Sequence, residues 1–239
     1  MFCSNCGKEL TDGARFCSYC GSTVGAASSS GNVNNNLPEV TNADLQKAEA
    51  LRDKAKQKLD KEKYDEVLDL CGKSLDLNPN DDVTWFFAGI AADGNGDHDN
   101  AIKYFSNSIE LDDNESTYYF WRGSAYYELE DYDNALENFS DAIKRDHSNA
   151  NYYNMRGNTY CCLDDFQNGI SDFQKALKLK PNDKAIKENL LHAQEALEED
   201  SGSGGGGGSE ILRGIGSFLG GAALGFLSAL SDDDDDDDD

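Results

Sequence analysis

Four cysteines close to the amino terminus have the spacing of a metal site. Cys3 and Cys6 form one C-x2-C pair, and Cys17 and Cys20 form a second pair after ten intervening residues. Four thiolates satisfy tetrahedral Zn²⁺, and a site closed by four cysteines leaves no position for a reactive water. The spacing therefore predicts structural Zn²⁺ rather than catalytic Zn²⁺, with a redox or iron role as the alternative.

The segment that holds these cysteines is short. Residues 1–24, MFCSNCGKELTDGARFCSYCGSTV, resemble the small zinc ribbon that begins many bacterial and archaeal proteins of varied architecture. A segment of about 24 residues cannot enclose a hydrophobic core, so metal binding would supply most of its folding energy. Because such ribbons accompany many different modules, the resemblance implies a bound Zn²⁺ but no particular activity.

Composition and charge limit the function classes. The 239 residues include 46 acidic and 21 basic side chains, for a net charge of −25. Binding to phosphates needs clustered Lys and Arg, so we expect no nucleic-acid partner. The start of the chain shows neither the positive patch nor the apolar run of a secretory signal, and its cysteine usage suits a reducing compartment. We therefore expect a cytoplasmic protein.

A period of 34 residues organises the middle of the chain. Small and large side chains recur at fixed slots, with glycines at Gly89, Gly123 and Gly157 and phenylalanines at Phe105, Phe139 and Phe173. Four copies follow one another without a gap, at 48–81, 82–115, 116–149 and 150–183. A flexible linker of Gly, Ser and Asn, residues 25–43, separates them from the amino-terminal segment.

The copy YYFWRGSAYYELEDYDNALENFSDAIKRD, residues 118–146, resembles the tetratricopeptide repeat. The resemblance implies an all-α fold, a solenoid of four helical hairpins over residues 44–200 with a capping helix over 184–198. One hairpin cannot bury its apolar face alone, so the copies must stack on one another.

In tetratricopeptide arrays the first helix of each hairpin lines a concave groove that holds a peptide. The resemblance implies ten groove residues here: Arg52, Lys56, Phe86, Ile90, Phe120, Ser124, Tyr127, Asn151, Asn154 and Asn158. The groove would be basic at one end, aromatic in the middle and lined by amides at the other end. In the alternative, the aromatic side chains pack within the repeats, where aromatic residues at helical spacing usually lie.

No residues are arranged for catalysis. The histidines His98, His147 and His192 lack a partner in a triad pattern, and no G-x4-G-K-S/T phosphate loop occurs. The stretch DGNGDHDN, residues 93–100, lacks the Gly and Glu that a calcium loop requires, and it aligns with the turns between helices of later copies. We therefore predict a protein that is not an enzyme.

The carboxyl-terminal part changes composition. A Gly/Ser linker spans 201–209, an apolar Gly-rich helix is predicted over 210–230, and residues 231–239 end in eight aspartates. A stripe of small residues favours close helix packing, whereas many glycines weaken a lone helix in water. Membrane association, self-association or a partner groove, and disorder are the three alternatives for 210–230. The aspartates are expected to form a solvated tail.

These observations predict a scaffold or adaptor that binds a protein or peptide segment in its groove and carries a structural Zn²⁺ ribbon. One alternative is a zinc-ribbon accessory factor of transcription or translation that contacts nucleic acid. The other is a membrane-tethered assembly protein that uses the helix predicted at 210–230.

Overall fold

The computed structural model describes residues 40–202, and helices joined by short turns make up this part of the chain. In chain order the helices are α1 Asn42–Leu59, α2 Tyr64–Leu77, α3 Asp82–Gly94, α4 His98–Leu111, α5 Ser116–Glu128, α6 Tyr132–Arg145, α7 Ala150–Cys162, α8 Phe166–Leu179 and α9 Lys184–Gly202. Strands are absent from the described residues, which confirms the all-α prediction for them. The predicted zinc ribbon at 1–24, most of the linker and everything after 202 lie outside this range.

Two helices extend past the predicted boundaries. α1 begins at Asn42 because Thr41 and Asp44 form a capping box, in which each side chain accepts a hydrogen bond from the backbone of the other residue. The first two residues of α1 were assigned to the linker by the sequence pattern. At the other end, α9 continues to Gly202, two residues into the predicted Gly/Ser linker.

The described helices belong to two compact units that divide between Asp113 and Asn114. In the first unit α1 packs on α2, α3 packs on α4, α2 packs on α3, and α1 touches α3. In the second unit α5 packs on α6 and α7 packs on α8, while α9 packs on α8 and touches α7. The four hairpins coincide with the four predicted copies, and α9 is the predicted capping helix.

Close approach inside the hairpins depends on the recurring glycine and phenylalanine. A Cβ atom added at Gly89 would lie 2.4 Å from the ring of Phe105, and one added at Gly157 would lie 2.8 Å from the ring of Phe173. In the third copy, a Cβ atom added at Gly123 would lie 3.0 Å from the ring of Phe139. A densely packed interior has no room for an extra methyl group at these distances. The glycine therefore sets how closely the two helices of a hairpin approach.

The first copy carries the opposite combination at the same two slots. Ala55 stands at the glycine slot and Cys71 at the phenylalanine slot, and both side chains are 0% exposed. Burial raises the pKa of the Cys71 thiol well above its usual value, so this side chain is a neutral part of the core. A larger residue on the first helix thus accompanies a smaller residue on the second, so the two changes in size have opposite signs.

A second pair of slots holds polar partners that lie sixteen residues apart. In the fourth copy Arg156 Nε donates to Asp172 Oδ2 at 2.7 Å, and Arg156 Nη2 donates to Asp172 Oδ1 at 2.9 Å. In the third copy Arg122 Nε donates to Asn138 Oδ1 at 2.7 Å. Asp172 is buried, and a buried carboxylate is tolerated only when such a partner compensates its charge. These bonds join the two helices of one hairpin.

The aspartate-rich stretch at 93–100 is a capping turn. The backbone N–H of Asn100 donates to Asp97 Oδ1 at 3.3 Å, and Asn100 Nδ2 donates to Asp97 Oδ2 at 2.7 Å. Gly96 supplies the left-handed backbone before this cap, with a φ of 76°. Asp131 and Asp165 cap α6 and α8 in the same way. The stretch therefore starts a helix, in agreement with its alignment to later turns.

Replacement of Gly89 by alanine is expected to destabilise the first unit by about 1–3 kcal/mol, because the Phe105 ring or the helix backbone must move to admit the methyl group. Urea unfolding followed by circular dichroism measures the change. Gly89→Ala combined with Phe105→Cys recreates the pair found in the first copy. The double variant should lose less stability than the sum of the single variants, and strict additivity would contradict the proposed size coupling.

Candidate functional site

The predicted groove residues in the first unit belong to α1 and α3. Arg52 of α1 donates from Nη1 to Asp81 Oδ2 at 3.1 Å, and its Nη2 lies 3.5 Å from Glu49 Oε1. Asp81 is buried and also accepts the backbone N–H of Thr84 at the start of α3. The charge of Arg52 is thus compensated within the unit. Lys56, one turn further along α1, is half-buried.

The apolar groove residues of α3 are buried. Phe86 and Ile90 are 2% and 3% exposed, respectively. The Phe86 ring centroid lies 5.8 Å from that of Phe105 and 6.2 Å from that of Phe87, which are distances of aromatic packing. These side chains contribute to the hairpin interior.

The aromatic groove residues of α5 in the second unit are buried as well. The Phe120 ring centroid lies 5.0 Å from that of Tyr152, 5.7 Å from that of Phe139 and 5.9 Å from that of Trp121. Ser124 Oγ donates to the backbone carbonyl of Phe120 at 3.0 Å, which satisfies its hydroxyl within the helix. This packing favours the alternative in which the aromatic residues lie inside the repeats.

Tyr127, near the end of α5, links its helix to α7. Its hydroxyl lies 3.4 Å from Cys162 Sγ, and its ring centroid lies 5.5 Å from that of Tyr132. Burial, with a smaller contribution from Cys162, raises the pKa of Tyr127 above its usual value. The phenol stays neutral at physiological pH and acts as a structural contact.

The amide residues of α7 differ from the aromatic residues because they remain half-exposed. Asn151, Asn154 and Asn158 follow at steps of three and four, so they lie on one face of the helix. Asn154 Oδ1 accepts from Asn189 Nδ2 of α9 at 3.1 Å, and Asn151 Oδ1 lies 3.4 Å from Lys180 Nζ. We call Asn151, Asn154 and Asn158 the amide row.

Two residues of this face were missed by the sequence analysis. Asn189 lies on the capping helix, and Lys180 lies in the turn before it, both in contact with the amide row. The predicted groove residues ended with the fourth copy, although the capping helix over 184–198 was predicted as well. Extending the 34-residue register by one more helix would have placed Asn189 beside α7.

Within 40–202 no three or more His, Cys, Asp or Glu side chains gather as metal ligands. Over the same residues, no helix is both long enough and apolar enough to cross a bilayer. The predicted ligands Cys3, Cys6, Cys17 and Cys20 and the predicted helix at 210–230 lie outside these residues.

Models of known protein families match two regions of the chain. Residues 2–24 match the model of a zinc-ribbon domain. Models of the tetratricopeptide repeat match residues 83–115, 123–163 and 150–183. Both resemblances noted in the sequence are thereby confirmed. A search of curated proteins found no match.

Solved structures share the fold of the repeats. MamA from residue 41 onward, from Desulfovibrio magneticus RS-1, is 19% identical over 78% of this chain and 97% of that chain, with a TM-score of 0.60. The Cut9–Hcn1 structure of the APC/C matches at 18% identity over 61% of this chain and 29% of that chain, with a TM-score of 0.58. The first tetratricopeptide-repeat domain of human RPAP3 matches at 22% identity over 53% of this chain and 99% of that chain, with a TM-score of 0.50. At these identities the likeness concerns the fold alone.

Truncation of Phe120 is expected to lower the free energy of unfolding of the second unit by about 3–5 kcal/mol, because it leaves a cavity among three aromatic rings. Leu129→Ala provides the control, since Leu129 is 42% exposed, and it should change stability by less than about 0.5 kcal/mol. The midpoints of urea unfolding of both variants, compared with that of the parent chain, measure these changes. Equal midpoints for Phe120→Ala and the parent would show that the ring does not contribute to packing.

Proposed function

Because the chain has an N-terminal zinc-ribbon domain followed by several tetratricopeptide repeats, we propose that it is a non-enzymatic adaptor. The second unit holds a peptide segment of a partner protein against its first helices, α5 and α7, and the amide row of α7 makes the main contacts. The zinc ribbon is a separate module held together by its metal.

The half-exposed amide row is the observation that carries this proposal. A primary amide offers N–H donors and a carbonyl acceptor, which match the N–H and C=O groups of a peptide backbone. Residues one turn apart on a helix are spaced by about 5.4 Å along its axis, and peptide groups of an extended segment repeat about every 3.3 Å, so the row can contact several peptide groups of one segment. Recognition of this kind depends on the backbone and only weakly on the sequence of the partner.

Asn158 is the most informative member of the row. Its side chain is half-exposed and forms no hydrogen bond with another described residue, whereas Asn151 and Asn154 have partners on other elements. An amide on this face can bind a peptide at no cost in lost internal bonds. Substitution of Asn158 therefore distinguishes a role of the amide row in binding from a role in stability.

Removal of the amide row is expected to weaken peptide binding. Peptides selected on the full chain from a random twelve-residue display library serve as probes, and fluorescence anisotropy gives their Kd. Asn158→Ala should raise Kd about fivefold, and the triple variant with Asn151→Ala and Asn154→Ala should raise it at least about tenfold.

Gln167→Ala with Gln174→Ala is the matched control, because both glutamines are exposed on α8. This variant should keep the parent Kd, and Asn158→Ala should keep the parent urea midpoint. A library that yields no binder, or amide-row variants that bind as well as the control, would contradict the proposed function.

The residues that match the zinc-ribbon model include all four cysteines of the two C-x2-C pairs. We infer that Cys3, Cys6, Cys17 and Cys20 bind one Zn²⁺ as thiolates. Such a closed set supplies folding energy to the ribbon and leaves no position for catalysis. The other three cysteines, Cys71, Cys161 and Cys162, are free thiols in the helical part. Cysteines placed within helical repeats suit a cytoplasmic location, where thiols stay reduced.

Metal analysis of the purified chain should find one Zn²⁺ per molecule. Cys3→Ser with Cys6→Ser should release it, because half of the ligands are lost. Cys161→Ser with Cys162→Ser is the control, and it should keep the full zinc content. A parent chain that holds no zinc when purified without chelator, or a Cys3/Cys6 variant that keeps it, would contradict the assignment.

A further inference from the structure

The described basic residues of the second unit, over 114–202, fall into two groups. Arg122, Lys144, Arg145 and Arg156 are engaged, since each donates to Asn138, Asp141 or Asp172. The other five are exposed, and none of them forms an ion pair with a described residue: Lys175, Lys178, Lys180, Lys184 and Lys187. We call these five residues the lysine patch.

The lysine patch is an exception in a strongly acidic unit. Residues 175–187 contain five lysines and one acidic residue, Asp183, while the remaining described residues of the unit contain four basic and sixteen acidic side chains. Asp183 accepts the backbone N–H of Ile186 at 3.2 Å and so caps α9. Glu188 is the next acidic residue along α9. The patch therefore keeps a local excess of positive charge.

The patch is confined to the end of α8, the following turn and the start of α9. Lys175 Nζ lies 5.6 Å from the ring centroid of Tyr153, and Lys180 Nζ lies 3.4 Å from Asn151 Oδ1, so both side chains reach α7. Lys184 and Lys187 are three residues apart and share one face of α9. An extended anionic chain running across this turn can contact several ammonium groups together.

The same chain carries a ligand of matching chemistry. Eight consecutive aspartates, 232–239, end the sequence, and they follow α9 after 29 residues. The predicted helix over 210–230 would by itself span about 31 Å, at about 1.5 Å per residue, and the distance from the end of α9 back to its first turn is about 27 Å. The aspartates can therefore reach the lysine patch of their own molecule, where their effective concentration is in the millimolar range.

We propose that the aspartate tail, residues 232–239, binds the lysine patch of its own chain. Elsewhere the acidic surface of the second unit repels the tail, so the patch is the favourable position for it within this unit. Each exposed Lys–Asp pair contributes little, but several pairs together favour the bound form at low ionic strength, and salt weakens it.

Binding of the tail has a consequence for other ligands. Because Lys180 contacts Asn151 of the amide row, a bound tail covers one edge of that face. Acidic ligands must then compete with the tail, whereas neutral ligands need not. The tail interaction does not depend on the proposed adaptor function, and the experiment below measures it without a partner protein.

Lysine reactivity tests the proposal directly. The full chain and a variant in which all eight aspartates are replaced by asparagine, which keeps length and removes charge, are briefly treated with acetic anhydride. Mass spectrometry then quantifies acetylation of each lysine. In low salt the asparagine variant should react about fivefold faster at the lysine patch, and 0.5 M NaCl should abolish the difference. Lys47 and Lys61, which are exposed and form no ion pair among the described residues, are internal controls and should react equally in both chains.

A labelled eight-aspartate peptide provides the second measurement. The peptide should bind the asparagine variant. It should bind the full chain about tenfold more weakly, because the tail of the full chain occupies the patch. Binding should be lost when Lys178, Lys184 and Lys187 are replaced by glutamine, and kept when Lys47 and Lys61 are replaced. Equal lysine reactivity of the two chains in low salt would overturn the proposal. Protection that disappears on dilution would also overturn it, because the tail would then bind a second copy.

Discussion

The contact between a glycine of one helix and a phenylalanine of the next is the constraint on which three of the four described hairpins depend. It lets the two helices approach until the ring touches the backbone at the glycine, 2.4 Å from the position a Cβ would take at Gly89. Because each contact joins the first helix of a hairpin to the second, it fixes how the first helix lies on its own hairpin. Polar bonds such as Arg156–Asp172 then join the same pairs of helices without changing that spacing.

The same packing decides which side chains are left for a partner. Aromatic residues on α3 and α5 fill the space between helices, so Phe86 and Phe120 contribute stability to their units. On α7 the corresponding slot carries Asn154, which is too small and too polar to fill that space and so stays half-exposed. A face of this kind offers hydrogen bonds to a peptide backbone in place of apolar pockets, which supports an adaptor with broad specificity.

The distribution of charge on the second unit also affects which ligands can bind. Four of the nine described cations of the second unit donate to neighbouring carboxylate, amide or carbonyl oxygens, as Arg156 does to Asp172, whereas the five of the lysine patch have no ion-pair partner among the described residues. A tail of eight aspartates in the same chain complements it. Interactions of this type depend strongly on ionic strength, so they adjust access to a surface without being required for folding.

The sequence by itself determined the features that depend on local periodicity. The 34-residue interval predicted the positions of the hairpins, because each repeat forms one hairpin. The two cysteine pairs identified the ribbon, because the spacing of metal ligands within such a segment can be read from the sequence. The tertiary structure decided which slots of the first helices are open, since burial depends on neighbours far away in sequence. Phe120 and Asn154 occupy equivalent slots of successive copies, yet Phe120 is covered by the rings of Phe139 and Tyr152, while Asn154 stays half-exposed. Residues on the capping helix, such as Asn189, joined the site only through the packing of α9 against α7.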